Sequence, residues 1–246
     1  LQQDIVSAYD DYEFHLVVHK LMNFCTNELG GFYLDIIKDR QYTMQKDSIG
    51  RRSAQTAIHH IAQAMVRWMA PILSFTADEI WKYLPDSDQP SVLLTQWYDQ
   101  LYDIDNTDEM NFEFWQQVID VRNSFLKEME ILRNETGVGS TLAVEVDLYC
   151  NEKLYQTLSK LDDEMRFVLI TAKVRLSPLS EKPSDAVHHP LANSDEVWVK
   201  VSASQHKKCD RCWHFVEDIG RDASHPEICG RCVTNVDGAG EERRFA

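Results

Sequence analysis

The sequence predicts a mainly α fold. An antiparallel helix bundle occupies residues 1–136, a small α/β unit residues 137–203, and a four-cysteine, zinc-ribbon-like module residues 204–246. Three observations carry this reading. Apolar residues recur at helical spacing through the first half. After "GVGS" the apolar period falls to two. The last stretch, "CDRCWHFVEDIGRDASHPEICGRC", holds two CxxC pairs.

In order along the chain, Phe14, Val17, Val18, Leu21, Met22 and Cys25 mark a first helix, which Gly30-Gly31 is expected to end. "FYLDIIKDRQY" reads as a shorter second helix. Ala54, Ala57, Ile58, Ile61, Met65, Trp68 and Met69 mark a third, from about Ser48 to Pro71, with Trp68 in the core. Thr76 and Glu79 fit a capping box that opens "ADEIWKYL", and Pro85 closes it. Residues 85–108 read as a polar linker with one apolar run, "SVLLTQW". "MNFEFWQQVIDVRNSFLKEMEILRN" is a long amphipathic helix; Trp81 and Trp115, like Trp68, lie on apolar faces. Leu142, Val144, Val146 and Leu148 alternate with polar neighbours as a strand, Asn151 caps a helix, and "RFVLIT" and "EVWVKV" read as two more strands. "SEKPSDAVHHPLANSD" reads as a loop.

The 246 residues are 43% hydrophobic and 26% charged, enough to bury a real core. The first residues have no basic start followed by an apolar run, so no signal peptide is expected. Arg67 interrupts the most apolar stretch, so no membrane span is expected either. The chain reads as an internal or C-terminal piece of something longer. Net charge is −15, which alone argues against a nucleic-acid partner. Two windows depart from it: residues 38–52 hold five basic and two acidic groups, and residues 200–211 four and one. Because screening confines a polyanion's attraction to ~8–10 Å, such patches outweigh the total.

Cys25 and Cys150 sit alone on apolar segments and read as buried structural thiols. Cys209, Cys212, Cys229 and Cys232 follow C-x2-C-x16-C-x2-C. Two such knuckles bring four sulfurs onto one ion, and the spacing suits a structural zinc. A disulfide pair or a redox CxxC fits less well, since no oxidising compartment and no βαβ pattern before the motif is indicated. His206, His214 and His225 then read as surface side chains. A closed shell of four thiolates leaves no open position for a catalytic water, so such a zinc folds a module and performs no chemistry.

"FCTNELGGFYLDIIKDRQY" followed by "RWMAPILSFTADEIW" resembles the anticodon-binding helix bundle of class I aminoacyl-tRNA synthetases for branched aliphatic amino acids. The usual form ends KDRLY; here Gln41 replaces the Leu. The CxxCW…CxxC ending with "EICGRCVTNV", the "RRFA" tail and "VGSTLAVEVDLY" resemble the isoleucyl branch of that family across essentially the whole chain. The resemblance implies recognition of the anticodon stem-loop of isoleucine tRNA, in the cytoplasm, by a monomer. ATP and magnesium would belong to the parent chain's catalytic domain, whose HIGH and KMSKS signatures are not in this sequence, so no catalytic residue is expected here. The residues themselves agree: no Gly-rich phosphate loop, nucleophile–base pair or carboxylate dyad stands out.

The RNA-contacting candidates are Lys38, Arg40, Arg51, Arg52 and Arg211, with Trp213. Single-stranded loops are read by stacking bases on aromatics and by cations on phosphates. Lys38 and Arg40 end a helix, where they equally suit its dipole, Arg51 and Arg52 start the next and equally suit a solvated surface, and Trp213 equally suits packing under its knuckle. Two other classes remain. One is a zinc module that binds DNA, since the x16 spacing resembles formamidopyrimidine-type glycosylases, although the N-terminal Pro-Glu is lacking. The other is a protein-interaction domain held by zinc.

Overall fold

The computed structural model of the protein describes residues 1–192 and 195–246. About half of the chain is helical, with one small sheet and a two-stranded hairpin. Backbone contacts divide it into two units: Leu1–Gln41 with Arg51–Asp103, and Tyr42–Gly50 with Ile104–Ala246. Among the described residues no helix is long and apolar enough to cross a membrane.

The first unit contains α1 (Gln2–Asp10), α2 (Phe14–Asn23), most of α3 (Asp35–Thr43) and α4 (Ile49–Met69), and α5 (Ser74–Trp81). Ile5, Ala8, Val17, Ala64, Trp68 and Tyr98 form one buried cluster. Polar ties fix α1 to α4 around it. The Trp68 indole donates to Gln2 at 2.9 Å, and the Tyr9 hydroxyl donates to the Trp68 carbonyl at 2.6 Å. Val66, Ala70, Ala77, Trp81 and Val92 form a second cluster, so the apolar run of the linker supplies a core residue from a 3₁₀ turn, Val92–Leu94.

Two local readings are corrected here. Gly30-Gly31 does not end a helix. The chain stays helical from α2 into α3 through a π-helical stretch, Phe24–Leu34. A Cβ on Gly30 would lie 2.7 Å from the Cys25 carbonyl oxygen, and one on Gly31 3.0 Å from that of Thr26. Each glycine thus makes room for the carbonyl five residues back, which is the π-helical spacing. The Thr76/Glu79 capping box does not form either: α5 begins at Ser74 and its N-cap, Leu73, makes no side-chain cap bond.

In the second unit α6 (Phe112–Thr136) starts at Asn111, whose side chain accepts from the Phe114 N–H at 3.1 Å, and stops at Gly137, φ +74°. The sheet has the order β2-β1-β4-β3. Its strands are β1 (Val144–Cys150), β2 (Lys173–Pro178), β3 (Val187–Pro190) and β4 (Glu196–Ala203). β1 and β2 run parallel, joined by α7 (Glu152–Ser159) and α8 (Met165–Leu169); β4 runs antiparallel to β1 and β3. Asn151 caps α7 by accepting from the Leu154 N–H at 3.1 Å. Val144, Val146, Leu148 and Cys150 point into the core and alternate with half-exposed neighbours.

"RFVLIT" is not a strand. It is mostly α8, which ends where Ile170 turns left-handed at φ +58°. Phe167, Val168 and Leu169 are all buried, and an apolar run buried on every side has no period by which to tell helix from strand. The neighbouring segment Lys173–Pro178 supplies the strand instead. The expected loop at 180–195 contains the short edge strand β3; its Asn193 and Ser194 lie outside the described residues.

Candidate functional site

The two knuckles are built differently. The first closes a hairpin of β5 (Lys207–Lys208) and β6 (Phe215–Val216). The Cys209 N–H donates to the His214 carbonyl and the Trp213 N–H donates back to the Cys209 carbonyl, both at 2.9 Å. This tight turn needs a left-handed residue, and Trp213 takes it at φ +67°. In the second knuckle Cys229 is the N-cap of α9 (Gly230–Val236) and Cys232 lies in its first turn. The Gly230 N–H donates to Asp218 at 2.9 Å, and a Cβ on Gly230 would stand 2.8 Å from the same carboxylate oxygen. Close approach of Asp218, and not a positive φ, is therefore what requires glycine there.

The four sulfurs lie within 4.8 Å of one another, with Cys209–Cys232 at 3.8 Å and Cys212–Cys229 at 3.7 Å. Sulfurs at about 2.3 Å from a tetrahedral zinc stand roughly 3.8 Å apart, so the donor set fits that ion. A disulfide needs about 2.05 Å, and all six cysteines are free thiols. The four are buried against Val216, Ile219 and Ile228. Packed this closely they titrate as one set. Hydrogen bonds with Cys209, then Cys229 and Cys232, drive the Cys212 thiol down; those with Cys209, then Cys212 and Cys229, drive Cys232 up. Four thiolates together require a cation.

Among the described residues no other group of three or more possible ligand side chains converges. His206 and His225 are partly exposed, as expected, but His214 is buried. Its ring meets Phe167 edge-on at 5.7 Å and its Nδ1 reaches the Cys212 carbonyl at 3.3 Å. Arg231, a residue that cysteine spacing alone does not single out, is half-buried within the second knuckle. Burial alone would lower its pKa, but Glu241, Cys212 and Cys232 raise it. Its guanidinium also lies 5.1 Å from the centre of the Phe167 ring, and that of Arg243 lies 3.5 Å away. The "RRFA" segment is held by Glu164, whose carboxylate accepts the N–H groups of Arg244, Phe245 and Ala246 at 2.7–2.8 Å.

The six RNA-contacting candidates fall in both units. In the first, Lys38 is exposed and paired with Asp35 at 2.6 Å, Arg40 is buried at 9% exposure, Arg51 is half-buried and Arg52 is exposed. In the second, Arg211 is half-buried, and Trp213 is 58% exposed with Lys208 Nζ 5.0 Å from its ring centre. The Trp213 ring is therefore not packing under the knuckle.

Comparison with known families places these features. Residues 1–148, more than half of the chain, match the anticodon-binding domain of tRNA ligase, and residues 207–235 match a zinc finger found in FPG and IleRS. The chain belongs to the tRNA-ligase anticodon-binding family. The zinc-finger match and the four-sulfur geometry together support a structural zinc. Among curated relatives, the isoleucine–tRNA ligases of Thioalkalivibrio sulfidiphilus, Alkalilimnicola ehrlichii and Aeromonas hydrophila are 52%, 50% and 50% identical over all of this chain. The chain spans about a quarter, 26%, of the length of each.

Proposed function

We propose that this chain is the tRNA-recognition part of an isoleucine–tRNA ligase. The observation that carries the reading is the anticodon-binding match over residues 1–148 joined, in one chain, to the IleRS-type zinc finger. Residues 1–136 act as an antiparallel helix bundle of the class I synthetase type, residues 137–203 as a junction, and residues 204–246 as the zinc module. Cys209, Cys212, Cys229 and Cys232 hold one zinc, which fixes the two knuckles against each other and takes no part in chemistry. Lys38, Arg40, Arg51, Arg52 and Arg211 contribute positive potential to the anticodon end of isoleucine tRNA, and Trp213 offers a ring for an unpaired base. The chain acts as a monomeric part of its cytoplasmic parent. ATP and magnesium serve that parent's catalytic domain, and no residue here is catalytic.

A DNA-binding zinc module or a protein-interaction domain would leave the match over the first 148 residues without a role. Binding of an isoleucine tRNA transcript at low salt, against the same transcript with an exchanged anticodon, tests the reading. Tighter binding to the native anticodon and one zinc per chain by elemental analysis are expected. Equal binding to both transcripts would overturn anticodon recognition, and protein that carries no zinc would overturn the metal assignment.

A further inference from the structure

The segment Tyr42–Gly50, which joins α3 to α4, belongs by its contacts to the second unit. Its anchors are specific. Thr43 and Met44 are 3% exposed. The Thr43 hydroxyl accepts from Arg231 Nη1 at 3.3 Å. The Gln45 side chain donates to the Gly238 carbonyl at 2.9 Å, and its Oε1 sits 2.8 Å from where a Cβ on Gly240 would be. Gly50 packs nearby: a Cβ there would stand in ordinary contact with the Arg243 Cβ, at 3.7 Å. The segment therefore grips α9 and the chain that follows it.

Arg231 is the residue between this segment and the four-cysteine site. It stands within the second CxxC, between Cys229 and Cys232. One terminal nitrogen donates both to the Thr43 hydroxyl at 3.3 Å and to the Glu241 carboxylate at 3.0 Å, while the residue itself sits in the first turn of α9 between two of the four thiols. Four thiolates on one dication leave an excess of negative charge, and a guanidinium carried by the second knuckle is its natural counter-charge. Metal loss would release Cys229, the N-cap of α9, and Cys232 in its first turn from the opposite knuckle, and so loosen the helix that carries Arg231.

We propose that Arg231 couples metal occupancy of the four-cysteine site to the anchoring of Tyr42–Gly50, so that the zinc module positions the connection between α3 and α4. Arg231 is a positioning residue in this scheme. Resting on the tRNA reading above, the consequence is regulatory: the connection is flanked by Lys38 and Arg40 on one side and Arg51 and Arg52 on the other, so loss of metal weakens RNA binding through these four residues as well as through Arg211 and Trp213 of the first knuckle.

Amide hydrogen exchange on the whole chain tests the coupling without RNA, so that failure of the tRNA reading and failure of the coupling are separate results. Chelation should speed exchange in peptides covering 42–50 by roughly tenfold or more, with α6 unchanged. Arg231→Ala should do the same to 42–50 while elemental analysis still finds one zinc. Thr43→Val removes the acceptor and leaves the module intact; it should speed exchange in 42–50 by about fivefold, the worth of one hydrogen bond, and it decides the matter if Arg231→Ala sheds the metal. Full protection of 42–50 after chelation, or in zinc-loaded Thr43→Val, would overturn the coupling.

Discussion

Trp213 combines two properties that a stability argument alone does not reconcile. A left-handed backbone costs a non-glycine residue about 1–2 kcal/mol, and this ring is 58% exposed, so little burial offsets the strain. Glycine would suit the turn better, less the extra chain entropy it loses on folding. The expected outcome for Trp213→Gly is a melting temperature nearly unchanged, a stability shift within about 1 kcal/mol, and full zinc content. That contrasts with the ~3–5 kcal/mol of truncating a buried Trp. Affinity for isoleucine tRNA should fall by about 1–3 kcal/mol if the ring stacks on a base. Zinc loss in this variant would show instead that the ring braces the knuckle. Sequence made the four thiols legible because their spacing is local. It did not reveal Arg231 beside the sulfurs, the Asp218 carboxylate beside Gly230, or the burial of His214, because each depends on partners distant in sequence or supplied by the fold.

At the level of elements, the readings that held were those set by period and by the Asn151 cap of α7, whereas the Thr76/Glu79 capping box did not form. α6 lies within two residues of its expected extent, at Phe112–Thr136 against 110–134, and β1 and β4 are strands as expected. Those that failed turn on tertiary context. α8 is an apolar run without a period, and β3 is a four-residue edge strand held by pairing to β4. The Gly30-Gly31 pair is the sharpest case, because the same residues that usually stop a helix here widen one. Gly30→Ala would put its methyl 2.7 Å from a backbone carbonyl, which no side-chain rotation can relieve. It should destabilise the first unit by roughly 1–3 kcal/mol in urea unfolding followed by circular dichroism. Gly139→Ala, where nothing stands within 4 Å of the new carbon, is the control and should be nearly neutral. Equal stability of the two variants would mean that the π-helical stretch readily gives way to an α-helical register.

For the molecule as a whole, the difficulty is a net charge of −15 on a chain proposed to bind a polyanion. The charge is uneven enough to permit it. Residues 205–246 carry seven basic and eight acidic groups, whereas residues 101–204 carry ten and nineteen. An RNA approaching the acidic stretches is repelled, so docking is confined to the positive windows and specificity of orientation comes without contacts. Within the first window the candidates differ in what they have available for a phosphate. Lys38 is already paired with Asp35 and Arg40 is buried, so Arg52, exposed, and Arg51, half-buried, should make most of the contacts. Each phosphate neutralised on a single strand contributes about −0.7 to the slope of log affinity against log salt. Arg51→Ala with Arg52→Ala should therefore flatten that slope by about 1.4, with the larger affinity loss at low salt and convergence with the parent protein as salt rises. The measurement belongs in a full-length ligase carrying this chain, since the isolated chain can bind too weakly for a slope to be read. An unchanged slope with unchanged affinity places the RNA-facing cations elsewhere. An unchanged slope with reduced affinity would mean that the two arginines orient the α3–α4 connection without touching phosphate.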